Sequence, residues 1–129
     1  MILIDTSVWI EVFRRARPLD LETVVDLGEV VVCPPIVQEI LQGMRETGTF
    51  RLAKQSMLAF PIVESPMAID VWLEAAQLYR TARAAGTTIR SSTDCLIATC
   101  ALRHDLEVLH RDRDYEQIAR VAPLRVRQP

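Results

Sequence analysis

Apolar residues in this chain fall into short unbroken runs, separated by longer stretches in which they recur every three or four positions. Met1 to Ile4, Val30 to Cys33 and Glu107 to His110, within "LEVLH", are runs of the first kind. They are short and contain β-branched residues, so they predict strands covered on both faces. Pro34 and Pro35 stop the second run, since proline cannot continue a central strand's hydrogen-bonded ladder. Leu124 to Val126 is a shorter run near the end, and Pro61 to Val63 is a weaker one. Helical spacing covers Ser7 to Phe13, Leu19 to Leu27, Ile36 to Met44, Thr49 to Leu58, Met67 to Ala85, Thr93 to His104 and Tyr115 to Arg120. The longest of these carries Met67, Val71, Leu78 and Ala82 on one stripe and ends at Gly86, the pattern of a packing helix.

Strands therefore alternate with helices. Parallel neighbours need crossover connections, and those crossovers cover the sheet, so the pattern predicts a three-layer α/β/α domain around a central parallel sheet. With 129 residues, residues 1–129 are expected to form a single domain. No internal repeat, low-complexity tract or linker interrupts it, and Gly48, Pro66 and Gly86 mark ordinary turns.

Composition narrows the class. Half of the residues are hydrophobic and 25% are charged, the balance of a globular protein that folds without a cofactor and is too apolar for disorder. Asp5 interrupts the first apolar run too early for a signal-peptide core, and no uncharged run approaches the ~20 residues that span a bilayer. The expected location is the cytoplasm, with no membrane association. Cys33, Cys95 and Cys100 are odd in number and lack zinc-ligand spacing, so they read as buried thiols. A net charge of -2 and a pI of about 5.7 argue against nucleic-acid binding over the whole surface and leave room for a local basic patch. Lys54 is the only lysine among the basic residues. That bias fits genome composition first and phosphate pairing by arginine second.

The candidate chemistry lies in the carboxylates. Open α/β sheets gather ligands beyond the carboxyl ends of their strands, and Asp5 ends the first predicted strand in "MILIDTSVW". Capping the helix that follows would explain it equally well. Asp94 in "STDCLIATCAL" is the one charge at the start of a helix that looks buried on most sides. The helix dipole alone would stabilise it there by about 0.3 to 1 kcal/mol, yet a charge on a buried helix also needs a partner. In "RDRDYEQIA", Asp112 and Asp114 follow the third main strand. Asp114, immediately before "YEQIA", fits the helix cap, and Asp112 is left for chemistry. Glu39 in "PPIVQEILQGM" stands beside the core stripe of Val37, Ile40, Leu41 and Met44, where a solvated first-turn glutamate is the simplest role.

Spacing alone does not bring these acids together. If they converged, each ionised pair at ~4 Å would repel by about 4 kcal/mol at an effective dielectric near 20, against a domain stability of ~5 to 15 kcal/mol. A cation would then be required, and oxygen-only ligands favour Mg²⁺ or Mn²⁺ over zinc. Such clusters activate water and steady phosphodiester transition states in nucleases.

Taken together, "MILIDTSVWIE", "VVVCPPIVQEILQG", "RSSTDCLIATCAL" and "LEVLHRDRDYEQIA" resemble the PIN-domain ribonucleases, and within them the VapC-like toxins of bacterial toxin–antitoxin pairs, over essentially the whole chain. The resemblance implies that Asp5, Glu39, Asp94 and Asp112 meet around one or two Mg²⁺ or Mn²⁺ ions. Asp5 and Asp94 resemble the principal metal ligands, and Glu39 the acid that orients or deprotonates the attacking water. Asp112 resembles the fourth acid, with Asp114 as the alternative, and Thr6 and Ser91 match supporting polar positions. The pattern departs at His110, where family members commonly carry threonine; His110 reads as a partly exposed strand-end residue. The implied activity is metal-assisted hydrolysis of an RNA substrate. The implied partners are a cognate VapB-like antitoxin and a second copy of the chain in a homodimer.

The arginines then gain candidate roles. Arg14, Arg15 and Arg17 form one group, Arg45, Arg51 and Lys54 another, and Arg90, Arg111 and Arg113 flank the acidic segments. Arg90 is the first choice for contact with RNA or antitoxin. The non-catalytic alternative is an α/β RNA- or partner-binding module whose carboxylates cap helices and pair with arginines. A receiver-like phosphoacceptor domain is the other rival, and it lacks a lysine at a later strand end.

Overall fold

A computed structural model describes all residues, 1–129. Its centre is a four-stranded, all-parallel sheet of β1 (Ile2–Ile4), β2 (Val30–Val31), β3 (Glu107–Leu109) and β4 (Val126–Arg127), in the order β2-β1-β3-β4. Six helices flank it: α1 (Thr6–Phe13), α2 (Pro34–Gln42), α3 (Thr47–Leu58), α4 (Ile69–Ala84), α5 (Ser92–Arg103) and α6 (Arg113–Ala119). Ile2, Leu3, Ile4, Val30, Val31, Val108 and Leu109 are all buried, as expected of strands covered on both faces. No helix is long and apolar enough to cross a membrane.

Helix boundaries follow local chemistry. Pro34 and Pro35 open α2, where proline's missing N–H costs nothing. After α4 the chain turns through Gly86 at φ +80, with Gly86 and Thr87 N–H groups donating to the carbonyls of Arg83 and Ala82. Only glycine reaches that conformation without steric cost.

Three expectations are corrected. Leu19 to Leu27 is not a continuous helix; two short 3-10 turns, Leu21–Thr23 and Leu27–Glu29, take its place. The side chains of Asp20 and Asp26 accept the N–H groups of Glu22 at 3.2 Å and Gly28 at 2.8 Å, and those local bonds compete with helix propagation. Pro61 to Val63 makes only a parallel bridge, Val32 to Ile62, because the edge beyond β2 is paired at that point alone. The last strand begins at Val126, with Leu124 buried in the approach to it.

The topology positions the site. From β1 the chain crosses to β2 on one side, and β3 later pairs on the other, so a crevice opens between β1 and β3 at their carboxyl ends. Asp5 N–H donates to the Leu109 carbonyl at 2.9 Å across this junction. Helix α5 packs along α4 and against α6 and β3. Every residue from Asp94 to Ala101 is buried, so its first turn is held rigidly over the crevice.

Candidate active site

Asp5 leaves β1 and caps α1, its Oδ2 accepting from Ser7 N–H at 2.9 Å and from the Ser7 hydroxyl at 2.5 Å. The Ser7 hydroxyl in turn accepts from Arg111 N–H at 2.9 Å, tying the β3–α6 loop to the same carboxylate. Asp5 Oδ1 accepts from the Tyr115 hydroxyl at 2.6 Å. Both oxygens are therefore anchored, and the residue is buried.

Asp94, in the first turn of α5, is 5% exposed. Its Oδ1 lies 3.4 Å from the Tyr115 hydroxyl, and its Oδ2 is buried without a hydrogen-bond partner. Burial, then the negative charges of Asp5 and Asp112 and the neighbouring Asp114, push its pKa up to about 9. Ligand-capable oxygens of Asp94, Asp112 and Asp114 lie within 4.8 Å of one another.

The roles of the last two differ from the expectation. Asp112, not Asp114, caps α6, its Oδ1 accepting from Asp114 N–H at 3.0 Å. Asp114 turns inward and is 1% exposed. Its Oδ2 accepts from the N–H groups of Arg90 at 3.0 Å and Ser91 at 3.1 Å, and its Oδ1 is buried and unpartnered. The rule that the residue next to the helical pattern is the cap failed by two positions, because α6 begins at Arg113. Ser91 supports the site through its backbone N–H, while its hydroxyl makes no cap bond to α5.

Glu39 stands outside the close triplet, on α2, and accepts from the Thr6 hydroxyl at 3.2 Å. Burial raises its pKa, the Thr6 bond pulls it back, and the charges of Asp5 and Asp112 raise it further. A cleft of about 300 Å³ opens beside it, lined by Pro34, Gln38, Met67, Trp72 and Thr93 among others. Arg90 reaches over the acids, with Nη2 3.6 Å from Asp112 Oδ1 and Nε 3.7 Å from Asp114 Oδ1. Arg111 pairs with Glu11, and Arg15 with Glu46.

His110 is fully buried, correcting the expectation of partial exposure. Its Nδ1 accepts from Asp112 N–H at 3.2 Å and its Nε2 lies 3.2 Å from Glu116 Oε1. The ring packs against Tyr115 at a centroid distance of 5.2 Å. Residue-by-residue reading also missed Tyr115 and Ser7 as partners of the acids. Their signal was adjacency: Ser7 is two residues after Asp5, and Tyr115 one after Asp114.

The donor set suits a hard divalent cation. All the candidate ligands are carboxylate oxygens, and two of them, Asp94 Oδ2 and Asp114 Oδ1, are buried with unused lone pairs. Buried carboxylate oxygens without donors are costly unless a cation faces them. Helix capping accounts for Asp5 and Asp112; without a metal, the other two oxygens have only a proton held by Asp94 beside Asp114 and the Arg90 guanidinium 3.7 Å from Asp114 Oδ1.

Residues 2–121 match the PIN domain family. The chain is 40% identical to "VapC ribonuclease Mb1587" of Mycobacterium bovis, covering 96% of each, and equally to "Ribonuclease VapC11" of Mycobacterium tuberculosis. Among solved structures, the one titled "Structure of FitAB bound to IR36 DNA fragment" superposes with a TM-score of 0.73 at 25% identity, covering 100% of this chain and 95% of that one.

Proposed function

The chain belongs to the PIN-domain family, and on that premise we propose that it is a VapC-type ribonuclease, the toxin of a toxin–antitoxin pair, cutting RNA phosphodiester bonds with a divalent cation. The observation that carries the metal-dependent reading is that Asp94, whose Oδ2 is buried without a hydrogen-bond partner, lies in one cluster of ligand-capable oxygens with Asp112 and Asp114.

Asp5, Asp94 and Asp112 would hold Mg²⁺ or Mn²⁺, with Asp114, clustered with the last two, as a further ligand. When bound, such an ion supplies Lewis acidity to the phosphate and lowers the pKa of a coordinated water. Glu39 orients the attacking water and takes its proton; a pKa raised by burial brings it toward the working pH, which favours a general base. Thr6 fixes the rotamer of Glu39 through the hydroxyl bond. Arg90, more than half exposed beside the acids, exchanges its weak contacts with Asp112 and Asp114 for an RNA phosphate or an acidic group of the inhibitor.

The partners we infer are RNA as substrate, a VapB-like antitoxin that covers the acidic pocket, and a second copy of the chain. On α4, Ile69, Trp72 and Leu73 are 69%, 52% and 61% exposed at helical spacing, an apolar face suited to a homodimer. Residues 1–129 form one domain in this reading, acting in the cytoplasm.

The test is cleavage of total RNA by the purified chain with Mg²⁺, with Mn²⁺ and with chelator, beside calorimetric titration of each ion. Metal-dependent cleavage that disappears in Asp94→Asn supports the assignment. Cleavage that persists in chelator, or in both Asp5→Asn and Asp94→Asn, overturns it.

A further inference from the structure

Tyr115 is fully buried on α6, and a phenyl ring alone would fill that space. Its hydroxyl needs a partner in the core, and the partners are Asp5 Oδ1 at 2.6 Å and Asp94 Oδ1 at 3.4 Å. These acids come from β1 and α5, separated from Tyr115 by 110 and 21 residues. One oxygen atom thus stands between the two acidic side chains.

We propose that Tyr115 is a positioning residue that fixes the spacing of Asp5 and Asp94 and so makes the pocket selective for a small divalent cation, Mg²⁺, over a larger one, Ca²⁺. The inference rests on the metal-dependent nuclease reading of the same pocket.

The geometry supports it in three ways. Asp5 is held at Oδ2 by Ser7 and at Oδ1 by Tyr115, so its carboxylate cannot rotate to follow a larger ion. Asp94 has Oδ1 at 3.4 Å from the hydroxyl and Oδ2 without a hydrogen-bond partner, in one cluster with Asp112 and Asp114. The ring itself is fixed, packed on the buried His110 at 5.2 Å and carried by a helix whose cap, Asp112, belongs to the same cluster. Mg²⁺ demands ligands at about 2.0–2.1 Å in a near-octahedral array, whereas Ca²⁺ accepts about 2.3–2.6 Å in flexible arrays. A rigid pair of carboxylates therefore favours Mg²⁺. Without the hydroxyl Asp5 loses the donor at Oδ1 and Asp94 the polar atom beside its Oδ1, and the two side chains are free to move apart around a larger ion.

The experiment is calorimetric titration of the full chain with Mg²⁺ and separately with Ca²⁺, for wild type, Tyr115→Phe and Asp94→Asn. Loss of a residue that orients metal ligands typically weakens affinity about 10- to 100-fold. Tyr115→Phe is expected to weaken Mg²⁺ by at least about tenfold and Ca²⁺ distinctly less, lowering the Mg²⁺/Ca²⁺ preference. An unchanged preference overturns the inference alone; no Mg²⁺ binding by the wild type overturns the nuclease reading with it.

A second measurement keeps the inference testable if Tyr115→Phe fails to fold. Tyr115 and Tyr79 are the tyrosines of the chain, so carbon-13 labelling of tyrosine in a Tyr79→Phe background isolates the NMR signal of the Tyr115 ring. Mg²⁺ is expected to perturb that signal, and saturation with Mg²⁺ that leaves it unmoved overturns the inference.

Discussion

The hydroxyl of Thr6 donates to Glu39 Oε1 at 3.2 Å, joining the start of α1 to α2 across 33 residues of sequence. The bond stabilises the charged form of Glu39 against burial and against Asp5 and Asp112. Thr6→Val removes the bond at constant shape, so the Glu39 pKa rises further. Since a general base must be deprotonated, the acid limb of the kcat/KM profile is expected to move to higher pH, with kcat falling most on the acid side. Thr6→Ser restores both. An acid limb that stays in place in Thr6→Val removes Glu39 from the role of base.

Asp94 makes metal-free stability depend on pH in a defined direction. Its pKa is raised from an ordinary 3.8 to about 9, so between those values the folded chain binds more protons than the unfolded one. Stability therefore falls as pH rises through that window. Asp94→Asn removes the dependence. Chemical denaturation in chelator is expected to find the variant more stable than wild type by on the order of a few kcal/mol at pH 8, with the difference shrinking toward pH 4. A difference that is flat with pH would assign the raised pKa to another group.

Cation binding reverses that balance. A ligand that binds only the folded state at 100 times its Kd adds about 2.7 kcal/mol, so Mg²⁺ should raise the Tm of wild type and leave Asp94→Asn unmoved. Because Asp94 must ionise to serve as a ligand, binding at pH 7 is expected to release up to about one proton. Titrations in buffers of different ionisation enthalpy measure that number directly. Binding without proton release would mean that Asp94 is already charged.

Strands and their order of appearance were legible because a buried parallel strand writes itself as an unbroken apolar run, as Ile2 to Ile4 and Val30 to Val31 do. Asp5 and Asp94 were visible for a related reason: each is a lone charge at the edge of an apolar segment. What the sequence hides is direction. Asp112 and Asp114 differ by two positions on one short helix, and only the docking of α6 onto the loop at Arg90 and Ser91 turns Asp114 inward. Tyr115 was obscured in the same way, because an aromatic residue on a helix reads as core until the partners of its hydroxyl come from other elements. Leu19 to Leu27 misled because aspartates at its ends, Asp20 and Asp26, bond to the backbone rather than to solvent.

Asp112 holds two roles that substitution can separate. It caps α6 through Asp114 N–H, and it belongs to the acidic triplet. Asparagine caps a helix about as well as aspartate, whereas alanine costs about 1 kcal/mol. Asp112→Asn is therefore expected to keep the cap's contribution to stability in chelator while losing Mg²⁺ affinity. Asp112→Ala should lose both. The amide also drops one negative charge next to Asp94 and Glu39, whose raised pKa values each owe part of their shift to Asp112. The metal-free Asp112→Asn chain should accordingly show a shallower loss of stability with rising pH than wild type. If Asp112→Asn and Asp112→Ala prove equal in stability, the cap contributes nothing and Asp112 acts only as a ligand. If Asp112→Asn keeps full Mg²⁺ affinity, the fourth acid is Asp114, whose buried Oδ1 is already free to serve.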